Sequence, residues 1–242
     1  MLSVCQLSLT NCNMNPLPTY WRTIMNAKSS RAMYWGLALL FTFATLVSAQ
    51  ELKPIQLPNP QTDGGKPLLQ ALKERKSTRT FSTEKLPVQT LGNLLWAAFG
   101  INRPDSGQRT APSAMNRQEI DIYVAMADGL YLYDAKGNTL QPVLAADVRA
   151  ATGMQSFVKD APVELVYVAD YARMGKVPEE ERVSWASVSA GCISQNVYLF
   201  CASEGLATVV RGSMDKPALA KAMKLRSDQK IIITQTVGYP KK

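Results

Sequence analysis

The chain has 242 residues, 46% of them apolar and 19% charged, with 27 Lys+Arg against 19 Asp+Glu. That length supports one globular domain with a buried core, and the composition is neither disordered nor disulfide-dense. No residue is histidine, which excludes Ser-His-Asp and Cys-His nucleophiles and any His-containing zinc or iron site; acid–base work would fall to Asp, Glu, Lys, Tyr or Cys.

Residues 1–49 contain no acid and three cations, Arg22, Lys28 and Arg31. Ala32 to Ala49 is uncharged, Trp35 to Val47 is strongly apolar, and the segment ends Val47-Ser48-Ala49. A basic flank, an apolar stretch and a small-x-small ending describe a secretory signal peptide cut after Ala49, with Met25 as an alternative start. The rival is an uncleaved membrane anchor, because the uncharged run approaches the length of a span. Without the leader the chain keeps 24 cations against 19 anions, a modest net charge of +5. No basic block with interleaved aromatics suggests nucleic acid. The expected mature protein is therefore exported, periplasmic or secreted, with no nucleic-acid partner and no stable membrane association.

Residues 50–66 hold three prolines and a glycine pair and read as a linker or arm, so the folded domain is expected over 67–242. Pro67 to Lys76 predicts a short helix with Leu68, Leu69 and Leu72 on one face. Pro87 to Phe99 predicts a second helix stopped by Gly100. Glu119 to Met126 alternates as a strand. Asp128-Gly129 turns it into Leu130 to Tyr133, and Leu140 to Leu144 adds a short edge. A helix is expected near Asp147 to Phe157, then a buried strand over Val163 to Ala169 broken only by Glu164. Pro178 to Glu204 is the longest helix, roughly 40 Å at 1.5 Å per residue, closed by Gly205. Thr208 to Val210 (strand), Asp215 to Met223 (helix) and Lys230 to Val237 (strand) complete an α+β, three-layer α/β/α domain with a mixed sheet flanked by helices.

Standard motifs are missing. The residue five before Gly65 is Pro60, so Gly64-Gly65-Lys66 is no phosphate loop, and there is no G-x-G-x-x-G. Cys5, Cys12, Cys192 and Cys201 form no C-x-x-C, and no metal site is expected. Cys192 and Cys201 lie about 13 Å apart along one helix, too far to bridge.

Three clusters carry the candidate chemistry. Glu74 to Phe81 places Arg75, Lys76 and Arg79 among hydroxyls; guanidinium, ammonium and hydroxyl donors suit a phosphate, although a solvated basic helix end reads similarly. Arg109 to Gln118 is rich in small residues, so backbone can approach a flat ligand, and Asn116 and Gln118 offer amides to a heteroaromatic edge; an ordinary turn is the alternative. The long helix with Gly191, followed by Gly205 to Gly212, permits close packing and an accessible backbone N–H, or is simply a capped core helix.

Taken together these segments resemble the nitroreductase-like flavoprotein superfamily. Glu74 to Phe81 is similar to its opening R-x-S-x-R-x-F segment. Leu94 to Pro104, followed by Arg109 to Ala114, looks like the branch related to peptide thiazoline oxidases (SagB-type), although Met115-Asn116-Arg117 departs from that branch's more aromatic stretch. Gly205-Leu206-Ala207 and Thr236 to Pro240 fit later motifs. The resemblance implies FMN at the interface of an obligate homodimer. Arg75 and Ser77 would contact the phosphate, with Lys76 in support and Lys241 closing on it. Arg79 would lie toward the pyrimidine side of the ring. Pro112, Ser113, Ala114 and Asn116 would come from the other protomer, Arg211 and Gly212 would bind the cofactor, and a backbone N–H near Gly212 would meet flavin N5. No side chain is expected to be catalytic, since the flavin carries hydride or electrons from NAD(P)H or a quinol to a small acceptor such as a nitroaromatic or quinone. An exported, non-catalytic flavin-binding module on the same fold is the alternative.

Overall fold

The computed structural model describes residues 51–241; the expected leader and its cleavage point lie outside them. In chain order the described elements are β1 (Ile55–Gln56), α1 (Leu68–Glu74), α2 (Val88–Phe99), β2 (Ile101–Arg103), β3 (Gln108–Arg109), β4 (Ile120–Met126), β5 (Gly129–Asp134), β6 (Thr139–Leu144), β7 (Val163–Asp170), α3 (Glu179–Glu204), β8 (Ala207–Arg211), α4 (Lys216–Ala222) and β9 (Gln229–Gly238).

Seven strands form one sheet in the order β1-β6-β5-β4-β7-β9-β8, and β2 and β3 form a separate hairpin. The expected mixed sheet is instead antiparallel at every pairing. The reason lies in one insertion. β7 and β8 run the same way and are joined by α3, but the final strand β9 enters between them, antiparallel to both.

Side-chain alternation builds the two faces. Ile120, Ile122 and Val124 of β4 and Leu165, Tyr167 and Ala169 of β7 face α2 and α3. Tyr123, Ala125, Val166 and Val168 face the opposite layer, where Leu219 and Met223 pack at α4. This is the expected three-layer α+β architecture.

α3 begins behind Pro178 with Glu179, Glu180 and Glu181 in its first turn, a charge order that complements the helix dipole. Ala186, Ala190, Ile193, Val197 and Cys201 line its buried side at helical spacing. Gly205 ends it in the left-handed region (φ 70°) and donates its N–H to Cys201 O. Cys192 and Cys201 are unbridged, and burial pushes the Cys201 thiol up.

Two further expectations need correction. The helix expected near Asp147 to Phe157 is two 3-10 turns, Arg149–Thr152 and Ser156–Lys159. Gly153 between them is extended (φ −174°, ψ 161°). The Thr152 carbonyl, which a helix would use internally, instead accepts from Arg211 Nη1 at 2.8 Å and Thr234 Oγ1 at 3.0 Å. The arm over residues 51–66 also belongs to the domain rather than preceding it. Ile55–Gln56 pairs with β6, Leu57 is buried, and Lys66 is held by Ser203 Oγ (2.8 Å) and the Ala202 carbonyl (3.0 Å).

Candidate functional site

The first segment leaves α1 at Arg75, whose N–H donates to Ala71 O. Its guanidinium lies 5.2 Å from the Tyr198 ring centroid. Ser77 Oγ shares a 2.9 Å hydrogen bond with Tyr198 Oη, which also accepts from the Val210 N–H at 2.9 Å. Beyond it the backbone runs beside the sheet. Thr78 N–H donates to Thr208 O, Ser82 N–H to Tyr239 O, and Lys241 N–H to Thr80 O at 3.3 Å. Arg75, Lys76, Ser77, Arg79 and Lys241 are thereby gathered at one end of the domain.

Lys66, Lys73, Lys76, Thr78 and Tyr198 border a cavity of about 500 Å³ there. Glu74 is the acid at its edge. The hydrogen bond from Lys66 Nζ at 2.6 Å holds its carboxyl below the usual range, helped by Gln70. Arg75, Lys76 and Arg79 have no carboxylate partner among the described ion pairs. A surplus of cations beside a serine hydroxyl fits the phosphate of the flavin that the resemblance implies.

The second segment is a strained loop. Met115 (φ 53°), Asn116 (φ 53°) and Gln118 (φ 49°) are all left-handed. Asparagine tolerates this region; methionine and glutamine do so at a cost of order 1–3 kcal/mol each, and such strain concentrates at ligand sites. Local bonds over-determine the loop. Arg109 donates to Gln118 Oε1 at 2.8 Å and Phe99 O at 2.9 Å, Gln118 Nε2 donates to Gly107 O at 3.0 Å, and the Gln118 N–H donates to Ser113 Oγ at 2.9 Å. Gln118 is therefore an internal brace and not a recognition amide. Burial pulls the Arg109 guanidinium down from its ordinary value. Asn116 remains exposed, while Pro112, Ser113 and Ala114 border a depression of about 290 Å³ with Trp185, Val188 and Ser189.

The two segments meet different stretches of α3. Tyr198 and Trp185 are 13 residues apart, roughly 20 Å along the axis. Arg75 and Ser113 thus lie beside well-separated stretches of α3.

Arg211, expected beside the cofactor, is elsewhere. It is 5% exposed, and its guanidinium turns inward to Glu164, Thr152 O and Thr152 Oγ1. The physical reason is Glu164. That carboxylate lies on a buried strand, also accepts from Thr236 Oγ1 at 3.0 Å, and requires a cation. Burial pushes the Glu164 carboxyl up to about 8 against the opposing pull of Arg211. Gly212, next in sequence, is exposed, with open space where a Cβ would stand.

Tyr198, Lys66 and Glu164 are given no site role by the sequence. The lone acid in the apolar run Val163 to Ala169 was the one available signal among them.

Residues 72–239 match the Nitroreductase family. A protein assigned as a nitroreductase in Methanocaldococcus jannaschii is 29% identical over 163 residues, which are 63% of this chain and 82% of that protein. A crystal structure of a protein with the same assignment from Ralstonia eutropha JMP134 is 44% identical with a TM-score of 0.77, covering 80% of this chain and 92% of that one. A Desulfovibrio desulfuricans protein with that assignment, crystallised in complex with FMN, is 23% identical and shares the fold with a TM-score of 0.54, over 74% of this chain and 89% of its own.

Proposed function

The chain belongs to the Nitroreductase family, and from that premise we propose that it is an FMN-dependent oxidoreductase acting as a homodimer. The observation that carries this reading is the cation-rich segment Arg75 to Arg79, whose Arg75, Lys76 and Arg79 have no carboxylate partner among the described residues and whose Ser77 bonds Tyr198, inside the family-matched region. The FMN complex of the Desulfovibrio desulfuricans relative supports the choice of cofactor.

Arg75, Lys76, Ser77 and Lys241 of one protomer would hold the phosphate. Pro112, Ser113, Ala114 and Asn116 of its partner would lie against the ring, as the resemblance to the family implies. The outward side of α3 suits a seam between copies: Ser184, Ser187, Val188, Gly191 and Gln195 are exposed at helical spacing, and Leu68 and Leu69 of α1 are exposed as well.

When bound, FMN supplies hydride or electron transfer between a reduced donor and a small acceptor. Arg79 would stabilise negative charge at the pyrimidine side, where a fixed guanidinium acts strongly in a water-poor site. Gly212 leaves backbone at the end of β8 accessible for a hydrogen bond to a ring nitrogen. The donor in this reading is NAD(P)H or a quinol, and the acceptor is a nitroaromatic or quinone. We further propose that the mature chain begins at Gln50 outside the cytoplasm, which N-terminal sequencing of exported protein checks.

Mass spectrometry of ligand released by heat tests the central claim, with FMN as the expected species. Colourless protein that rejects added FMN overturns it. Stopped-flow reduction by NADPH, NADH and a quinol then identifies the donor.

A further inference from the structure

The buried pair of Arg211 and Glu164 is a costly way to fill a core. The two residues are 5% and 0% exposed. Arg211 Nε and Glu164 Oε1 are buried without a hydrogen-bond partner among the described residues, and so is Gln155 Oε1 nearby. Removing two charges from water is repaid only when the remaining polar atoms are satisfied, and an apolar pair of similar bulk is often as stable. Stability alone does not account for this pair, so its contacts matter for what they place.

Arg211 is the last residue of β8, and Gly212 and Ser213 follow it, both exposed. Glu164 anchors the guanidinium from β7. From there the guanidinium donates to the Thr152 carbonyl at 2.8 Å and approaches Thr152 Oγ1 at 3.4 Å. Thr234 Oγ1 donates to the same carbonyl at 3.0 Å. Gly153 then passes so close to the guanidinium that an added Cβ would collide with Nη1. One residue on, the Met154 N–H donates to the Ser213 carbonyl at 3.1 Å. The corner after β8 is thus held twice, along the chain from Arg211 and across from Met154, and both routes lead back to one guanidinium.

We infer that Arg211, anchored by Glu164, is a positioning residue that sets the Gly212–Ser213 backbone against the flavin ring and thereby tunes the flavin's reduction potential. This rests on the reading that a backbone N–H near Gly212 meets a ring nitrogen, N5. Oxidised N5 accepts a hydrogen bond, whereas reduced N5 carries a hydrogen of its own. A donor held at N5 therefore favours the oxidised ring and keeps the potential low, and a loosened corner gives up that bias.

The test uses FMN-loaded protein and three variants that conserve charge. Arg211→Lys keeps the cation and loses the fork, Glu164→Asp draws the anchor back, and Gly153→Ala crowds the guanidinium. Ile122→Val, in the core on β4, controls for general loosening. Each of the three should raise the midpoint potential, with the reduction equilibrium shifted about three- to tenfold for one weakened hydrogen bond, or up to about 30 mV for a two-electron couple. The NMR shift of isotopically labelled N5 should move in the same variants and stay put in Ile122→Val. The double variant Arg211→Lys with Gly153→Ala should shift the potential no further than the larger single change, because both break one brace. Folded variants that release FMN while Ile122→Val retains it also support the inference. Unchanged potentials in the three variants overturn it, as does an equal shift in Ile122→Val, and failure of all three to fold assigns the pair to stability alone. A wild-type N5 resonance without a hydrogen bond removes the ring contact beneath the inference, whereas wild type that takes up no FMN overturns the oxidoreductase reading itself.

Discussion

Arg75 and Lys73 are two positions apart and have different surroundings. Arg75 is half-buried on Tyr198, while Lys73 is exposed at the rim of the same cavity. Arg75→Ala should weaken FMN binding by about 10- to 150-fold, the loss of one charge-assisted phosphate contact, and Lys73→Ala should cost under about 0.5 kcal/mol, as titration of apo variants will read. Arg79→Ala should keep oxidised FMN and lower its midpoint potential, because its partner charge appears only on reduction. Loss of oxidised FMN as severe as in Arg75→Ala, with an unchanged potential, would reverse these roles. Glu164 yields a prediction of another kind. Its folded value is raised from 4.5 to about 8 by burial, so between those values the folded chain binds more protons than the unfolded one. That contribution to stability is complete below about pH 4.5 and is lost as pH rises toward 8. Urea midpoints should fall across that window in the wild type, and Glu164→Gln should flatten the fall. None of this was legible from Arg211 itself, whose position before Gly212 suggested a ligand contact. A sequence displays a cation but not the buried carboxylate, two strands away in the sheet order, that claims it.

At the scale of elements, α3 carries the sharpest test. Gly191 sits in the middle of this 26-residue helix, exposed, with open space where a Cβ would stand. Within one chain, Gly191→Ala should stabilise by about 0.5–1 kcal/mol through helix propensity. Gly191→Trp, in contrast, should drive the dimer to monomer in light scattering and release FMN. A tryptophan variant that stays dimeric and yellow would remove α3 from the seam. The long helices were legible because their apolar spacing, prolines and closing glycines all point the same way. The 3-10 pair at Arg149–Thr152 and Ser156–Lys159 was not, because tertiary bonds to the Thr152 carbonyl outweigh local propensity. β1 was hidden for a similar reason. Two residues among prolines carry no period, and their strand identity comes wholly from Leu140 and Thr139 opposite them.

For the whole molecule, a site divided between copies makes a prediction that no single-chain site shares. Chains carrying Arg75→Ala and chains carrying Ala114→Trp should each form homodimers poor in FMN. In a mixed dimer both lesions fall on one site and the other is intact, so co-expression should restore about one tight FMN per dimer. Separately tagged chains purified in tandem allow that count, and mixed dimers as empty as their parents would refute the divided site.

The sheet's margins have a further consequence. At one margin Ile55–Gln56 covers part of β6, and Pro142 removes a donor from that strand. At the other, Thr78 N–H reaches Thr208 O and Tyr198 Oη receives the Val210 N–H. Bare strand margins recruit foreign strands and seed fibrils. This chain occupies donors and acceptors on both sides, so its solubility during storage should depend on those few contacts. Tyr198→Phe would free the Val210 N–H, and the variant should aggregate faster on agitation than the wild type, with enhanced thioflavin fluorescence, even in preparations saturated with FMN.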